Sequence, residues 1–274
     1  MIVLAPFDSQ TGILLVGHGS REPDGNQPLL ELCRGVETQL GITPVQPSYL
    51  ELTRPTIDEG LGVLYRRGVE RVVIVPLQLT AGRHVRYDIP CEVGKSLAKM
   101  SNMSVCFTDH LGPHPVLSDI ADSRLHEALS NYGPASGPIE HILVARGSRD
   151  PLVRGGILSL GESRQASSGG SRCTPCFLAM AEPAFEDALG MVVSREPARV
   201  VVQPHLLYPG RLLNRIKSTV EQMSVQHPHI EWVVVNALGP DERLIDAVID
   251  LAVEACEKDF HRQIGPTRPV DELV

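Results

Sequence analysis

The chain repeats itself, and that repeat limits the fold more than any other feature. ILLVGHGSR at residues 13–21 recurs as HILVARGSR at 141–149, so Gly19, Ser20 and Arg21 match Gly147, Ser148 and Arg149 at an offset of 128. PSYLELTRPTIDEGL and PCFLAMAEPAFEDAL keep the offset, placing Pro47 on Pro175, Pro55 on Pro183 and Leu61 on Leu189. RVVIVPLQLTAGR and RVVVQPHLLYPGR keep it again, with Arg71 on Arg199, Gly82 on Gly210 and Arg83 on Arg211. HLGPHPVL and ALGPDERL then match at 127, one residue having been lost between. Two long copies, with a Gly- and Pro-rich break at 132–138 (YGPASGP), read as two similar domains over 1–134 and 138–274 rather than a many-unit solenoid.

Within each copy, β-branched runs at 12–16, 71–77, 139–145 and 199–204 alternate with helical patterns, the signature of parallel βαβ units. The patterns predict helices over 27–40, 56–66, 92–100 and 116–131, then over 184–193, 211–223 and 242–258. The fold class is therefore α/β, each copy a small parallel sheet flanked by helices. One counterpart is weak. GGILSLGESRQASSGGSR at 155–172 holds five glycines, which predicts low helix stability and a mobile loop.

Composition excludes several classes. A length of 274 residues with 42% hydrophobic side chains suffices for buried cores. Lys and Arg number 25 against 33 Asp and Glu, and a net charge of −8 argues against a nucleic-acid partner. No apolar run approaches a membrane span, and MIVLAPFDSQ lacks the basic region and long apolar stretch of a secretory signal, so we expect a cytoplasmic protein with no membrane partner. The six cysteines are too dispersed for a disulfide framework, and Cys173 and Cys176 form a lone CxxC that reads as ordinary strand-edge cysteines. GHGS lacks the second glycine of a nucleophile elbow, since Arg21 is followed by Glu22, so Ser20 is not read as a hydrolase nucleophile. Gly17 and Gly19 without a third glycine at 22 do not make a dinucleotide fingerprint.

Duplication supplies an internal control, because a residue present in one copy and absent from the other is not required by the shared fold. His18 faces Arg146, Glu51 faces Ala179, and His84 faces Leu212. Each of the three follows a predicted strand, and ligands of open parallel sheets bind beyond the carboxyl ends of the strands. Two imidazoles and a carboxylate suit a divalent transition metal. His84 and Asp88 form HxxxD at near-helical spacing, weak as a self-contained metal motif. His110 and His114, which the second copy lacks, read as a solvated turn or as accessory metal or substrate residues; His227 and His229 read as a surface turn.

LLVGHGSR, the strand-end Glu of LELTRPT, VPLQLTAGRHVRYDIP and LGPHP together resemble the sirohydrochlorin chelatases of the CbiX/SirB type, class II tetrapyrrole chelatases. The resemblance spans the first copy nearly end to end, and the duplicated length is similar to the long two-domain form, whose single active site lies in the cleft between halves. It implies two chelatase-like domains, the first carrying the metal and catalytic residues and the second closing the cleft. It further implies a lyase that inserts Co2+ or Fe2+ into sirohydrochlorin without ATP, for cobalamin or sirohaem biosynthesis. The family's metal-handling histidines fall on His18 and His84, and its strand-end Glu on Glu51.

The chemistry fits the residues. Metal insertion needs a labile perch and a base, because two pyrrole protons leave as the ion exchanges water for ring nitrogens. Sirohydrochlorin is a polycarboxylate, and Arg21, Arg54, Arg83, Arg86, Arg146, Arg149 and Arg211 flank the matching strand ends as candidate partners. Retention of Ser20 and Arg21 as Ser148 and Arg149 favours a structural part for that pair. HRQIGPTRPVDELV carries neither a His-rich tract nor a cysteine cluster, so neither a storage tail nor an iron-sulfur cluster is expected, nor an organic cofactor. Residues 155–172 read as a lid, and the chain as a monomer. Ni2+ is a third candidate ion. A tetrapyrrole or metal carrier without turnover is the alternative, and a two-lobed periplasmic-type binding protein ranks last.

Overall fold

The computed structural model describes residues 7–167 and 171–264. Two four-stranded, all-parallel sheets are built from the two copies. In the first, β1 (Thr11–Gly17), β2 (Val45–Tyr49), β3 (Arg71–Pro76) and β4 (Ser104–Phe107) lie in the order β2-β1-β3-β4. In the second, β5 (Ile139–Ala145), β6 (Arg172–Phe177), β7 (Arg199–His205) and β8 (Glu231–Val234) lie in the order β6-β5-β7-β8. The central strands are closed on both faces, which is why TGILLVG and RVVIVP read as continuous apolar runs rather than alternating ones. In both sheets the chain leaves the first-formed strand toward one edge and returns toward the other. The carboxyl ends of β1 and β3, and of β5 and β7, are therefore topological switch points.

Among the described residues, eight α-helices cover these sheets: α1 (Gln27–Leu40), α2 (Ile57–Arg66), α3 (Ile89–Leu97), α4 (Val116–Leu129), α5 (Pro151–Ser167), α6 (Phe185–Val193), α7 (Arg211–Gln226) and α8 (Arg243–Ile264). Helix α2 starts where Thr56 and Glu59 form a reciprocal capping box. Its buried Ile57, Leu61 and Leu64 join Ile89 and Val93 of α3 over Leu14, Val16, Val72 and Ile74. The alternate residues Ile13, Leu15, Val73 and Val75 are equally buried and face the other way, toward α1 and α8. In the second sheet α6 and α7 pack over Ile142, Val144, Val200 and Val202.

The packing units do not follow the expected halves 1–134 and 138–274. One compact unit comprises the described residues up to Gln78, His84–Leu111 and the described residues from Glu242 onward; the other comprises Leu79–Arg83 and Gly112–Asp241. The last helix of each copy thus belongs to the unit built on the other copy's sheet. Helix α8 lies in the first unit against α1, β3 and β4, burying Leu244, Ala247, Val248, Leu251, Ala252 and Ala255. Helix α4 lies in the second, where Leu125, Ala128 and Leu129 meet Val201, Val233 and Val235. Arg124 fixes it by donating to the Leu238 carbonyl at 3.3 Å and the Pro240 carbonyl at 2.9 Å, while Gln203 Nε2 donates to the Ala121 carbonyl at 2.8 Å.

The glycine-rich stretch is a second departure. It forms most of α5, through Ser167, with 168–170 outside the described residues, so the expected loop is corrected to a helix over the described span. Packing overrides propensity here. Ile157 and Leu160 sit on Leu143, Ala145 and Phe177, and Gly161 lets the helix approach β6 until an added Cβ would stand 3.0 Å from Pro175 Cγ. Nothing stands within 4 Å of a Cβ added at Gly155 or Gly156. Gly155→Ala and Gly156→Ala should therefore each raise unfolding stability by roughly 0.5–1 kcal/mol in a urea titration, whereas Gly161→Ala should lower it.

The cysteines behave as the sequence suggests. All six are free thiols, and burial raises the pKa of Cys176 and pushes that of Cys173 to about 11, so both stay protonated near neutral pH. Burial, reinforced by nearby Arg164, pulls His205 down to about 4. Its equivalent in the first copy is the buried Leu77. Because the unfolded chain takes up a proton at this residue near pH 6.5 and the folded chain does not, stability should fall as pH drops from about 6.5 toward 4. His205→Leu should flatten that limb of a Tm-versus-pH curve.

Candidate metal centre

The centre is assembled at the carboxyl ends of the first sheet, within one compact unit. Parallel pairing of β1 with β2 continues past both strands: Leu50 N–H donates to the Gly17 carbonyl at 2.9 Å and Glu51 N–H to the His18 carbonyl at 3.1 Å. These bonds deliver His18 and Glu51 side by side. His18 Nε2 lies 3.1 Å from Glu51 Oε1. Gly19 makes the approach feasible: it has φ +97, and a Cβ there would stand 1.9 Å from the Glu51 carbonyl oxygen.

His84 arrives from β3 at the start of a π-helical turn, His84–Asp88, that runs into α3. The turn sets the imidazole Nδ1 2.9 Å from Asp88 Oδ2. A carboxylate there holds the proton on Nδ1 and leaves Nε2 as the lone-pair donor, the arrangement that orients metal-ligating histidines. The rings of His18 and His84 lie with centroids 5.2 Å apart at 44°. One ligand atom each from His18, Glu51 and His84 falls within 4.8 Å of the other two, and no other group of three such residues is so placed among the described residues. His18 and His84 are part-exposed and Glu51 is exposed, so an ion can enter and leave. With three protein ligands, a divalent ion keeps coordination positions for water or an incoming ligand.

The second copy repeats the backbone without the chemistry. Leu178 N–H and Ala179 N–H donate to the Ala145 and Arg146 carbonyls at 2.9 and 3.0 Å, and Gly147, at φ +93, would put a Cβ 1.8 Å from the Ala179 carbonyl. Leu52 and Met180, at φ 71 and 64, even share the left-handed conformation after the strand. The positions of His18, Glu51 and His84 hold Arg146, Ala179 and Leu212. Ser20 and Ser148 likewise do the same local job, their Oγ atoms accepting from Glu22 N–H and Asp150 N–H at 3.1 Å, in keeping with a structural part for the serine.

The other candidates separate. Arg54 pairs with Glu59 at the start of α2, its Nε 2.9 Å from Oε1 and 3.1 Å from Oε2. Arg86 lies 6.0 Å from the exposed Tyr87 ring. Arg21, Arg83, Arg146, Arg149 and Arg211 are exposed, Arg146 directly after β5 and Arg211 as the first residue of α7. His114 Nδ1 accepts from Val116 N–H at 3.3 Å at the start of α4, and neither it nor His110 belongs to the cluster. His227 and His229 face each other edge-on at 6.0 Å in a turn before β8. Sequence reasoning saw the His84–Asp88 spacing but gave Asp88 no role; the i,i+4 separation was the available signal.

The CbiX family model matches residues 12–128 and again 140–255. A sirohydrochlorin ferrochelatase of Priestia megaterium is 28% identical over 232 residues, covering 85% of this chain and 85% of its own. A sirohydrochlorin cobaltochelatase of the same organism is 24% identical over 245 residues, covering 89% and 80%. Among solved structures, SirB from Bacillus subtilis with Fe3+ superposes with a TM-score of 0.78 at 23% identity, over 92% of this chain and 98% of its own. A duplicated parallel α/β fold, matched by one family model in each of its copies, places this chain in the CbiX family.

Proposed function

We propose that this chain is a sirohydrochlorin chelatase, a lyase that inserts Co2+ or Fe2+ into sirohydrochlorin without ATP in cobalamin or sirohaem biosynthesis. The observation that carries this reading is the single cluster of His18, Glu51 and His84, built in one copy and erased from the other on an otherwise duplicated backbone. Ferrochelatases and cobaltochelatases both stand among its relatives, which supports either ion as substrate. Neutral imidazoles bind borderline divalent ions without the grip of thiolates, so His18 and His84 hold the incoming ion and release it. Asp88 keeps His84 in the metal-binding tautomer. Glu51, beside His18, is placed to take a proton leaving a pyrrole nitrogen as the ion enters. Arg21, Arg54, Arg83, Arg86, Arg146 and Arg211 are the guanidinium candidates for the substrate carboxylates, and Arg54 also pairs with Glu59. The second copy serves substrate binding, and the chain works as a monomer.

The same cluster would serve a carrier, and turnover separates the two. Anaerobic absorbance spectroscopy of sirohydrochlorin in molar excess over the chain, with Co2+ or Fe2+, should show many products per chain. One product or fewer per chain would replace the chelatase by a carrier.

A further inference from the structure

Comparison of the two copies yields a fourth polar residue at the same strand ends. Val16 pairs with Pro76 in the β1–β3 ladder, and extending that register by two residues sets Gln78 level with His18. In the second copy Ala145 pairs with His205, so Leu206 stands level with Arg146. Leu206 is 9% exposed and belongs to the apolar core, which shows that the shared fold accepts a hydrocarbon at this point. Gln78 instead places an amide there. Its Nε2 donates to the Val16 carbonyl over a long 3.5 Å, and its Oε1 is closed off from solvent without a hydrogen-bond partner.

A buried acceptor without a donor destabilises the fold, and an apolar replacement of similar shape removes that cost. The first copy nevertheless carries the amide, level with His18 in the extended strand register. We propose that Gln78 is a ligand-positioning residue of the metal centre: its Oε1 accepts a hydrogen bond from a water of the hydrated divalent ion held by His18, Glu51 and His84. Waters on a divalent cation are polarised donors, and a hydrogen bond to such a charged group is stronger than one between neutral partners. Gln78 as a whole is half-buried. This inference rests on the chelatase reading and adds to it a residue that fixes the ion's outer shell.

The test is Co2+ binding to the full chain under anaerobic conditions by calorimetry, with Tm measured on the same samples, for the native protein, Gln78→Leu and Gln78→Glu. Gln78→Leu should weaken Co2+ binding about tenfold and raise Tm, a combination a merely structural amide does not give. Gln78→Glu keeps an acceptor and should bind Co2+ at least as tightly as the native chain. Native affinity in Gln78→Leu, or weaker binding together with a lower Tm, overturns the proposal. So does loss of affinity in Gln78→Glu. A native chain that binds no Co2+ removes the chelatase reading itself, a result distinct from native binding that Gln78→Leu leaves untouched.

Discussion

His18→Ala and His84→Ala should each abolish multiple-turnover metal insertion while leaving the far-UV circular dichroism and Tm close to native. Each imidazole is part-exposed, and each position holds a different side chain in the second copy on the same backbone, so its removal opens little core and breaks little of the fold. What it removes is one of the two proposed nitrogen donors, so the ion is held more weakly and is no longer oriented for transfer. The expected loss is at least about a hundredfold in insertion rate, the scale of removing one principal catalytic contribution. Insertion assayed with Co2+ and sirohydrochlorin checks it, and near-native turnover in either variant would remove that residue from the mechanism. The mirrored changes Arg146→Ala and Leu212→Ala should leave Co2+ affinity unaltered.

The second large effect concerns stability. Val248 is fully buried where α8 covers the first sheet, with Leu244, Ala247 and Ala252 beside it. A carboxylate at Val248 would be buried among apolar groups without a partner, and Val248→Asp should cost about 4 kcal/mol or more in urea unfolding. A chain ending at Asp241 should fare worse, because Val73 and Val75 lose the helix that covers them and no cooperative unfolding transition should remain for the first unit. If the packing units were instead the sequential copies, that truncated chain would keep an intact first unit and its metal affinity.

Much of this was legible in the sequence because the repeat doubles every observation. Strands β1 and β3 carry nearly continuous apolar runs, β5 and β7 repeat them in shorter form as ILVA and VVV, and helix α1 begins and ends where its pattern does. The three candidate ligands stood out because each breaks an otherwise regular match at a strand end. The exchange of α4 and α8 was not legible, since the two sheets present the same apolar pattern and only tertiary geometry decides which one a terminal helix covers. Helix α5 was misjudged because its glycines lower intrinsic propensity, while Ile157, Leu160 and the close approach at Gly161 recover the helix through packing. Asp88 needed the ring orientation of His84, and Gln78 needed the knowledge that its oxygen has no donor. No helix among the described residues is long and apolar enough to cross a membrane.

The central claim is that one copy handles the metal through two imidazoles and a carboxylate. X-ray absorption at the cobalt edge of the Co2+-loaded chain tests it most directly. The account predicts one Co2+ per chain with two imidazole nitrogens among otherwise oxygen donors, falling to one in His18→Ala and one in His84→Ala. Sulfur donors, or an imidazole count unchanged by either substitution, would contradict it.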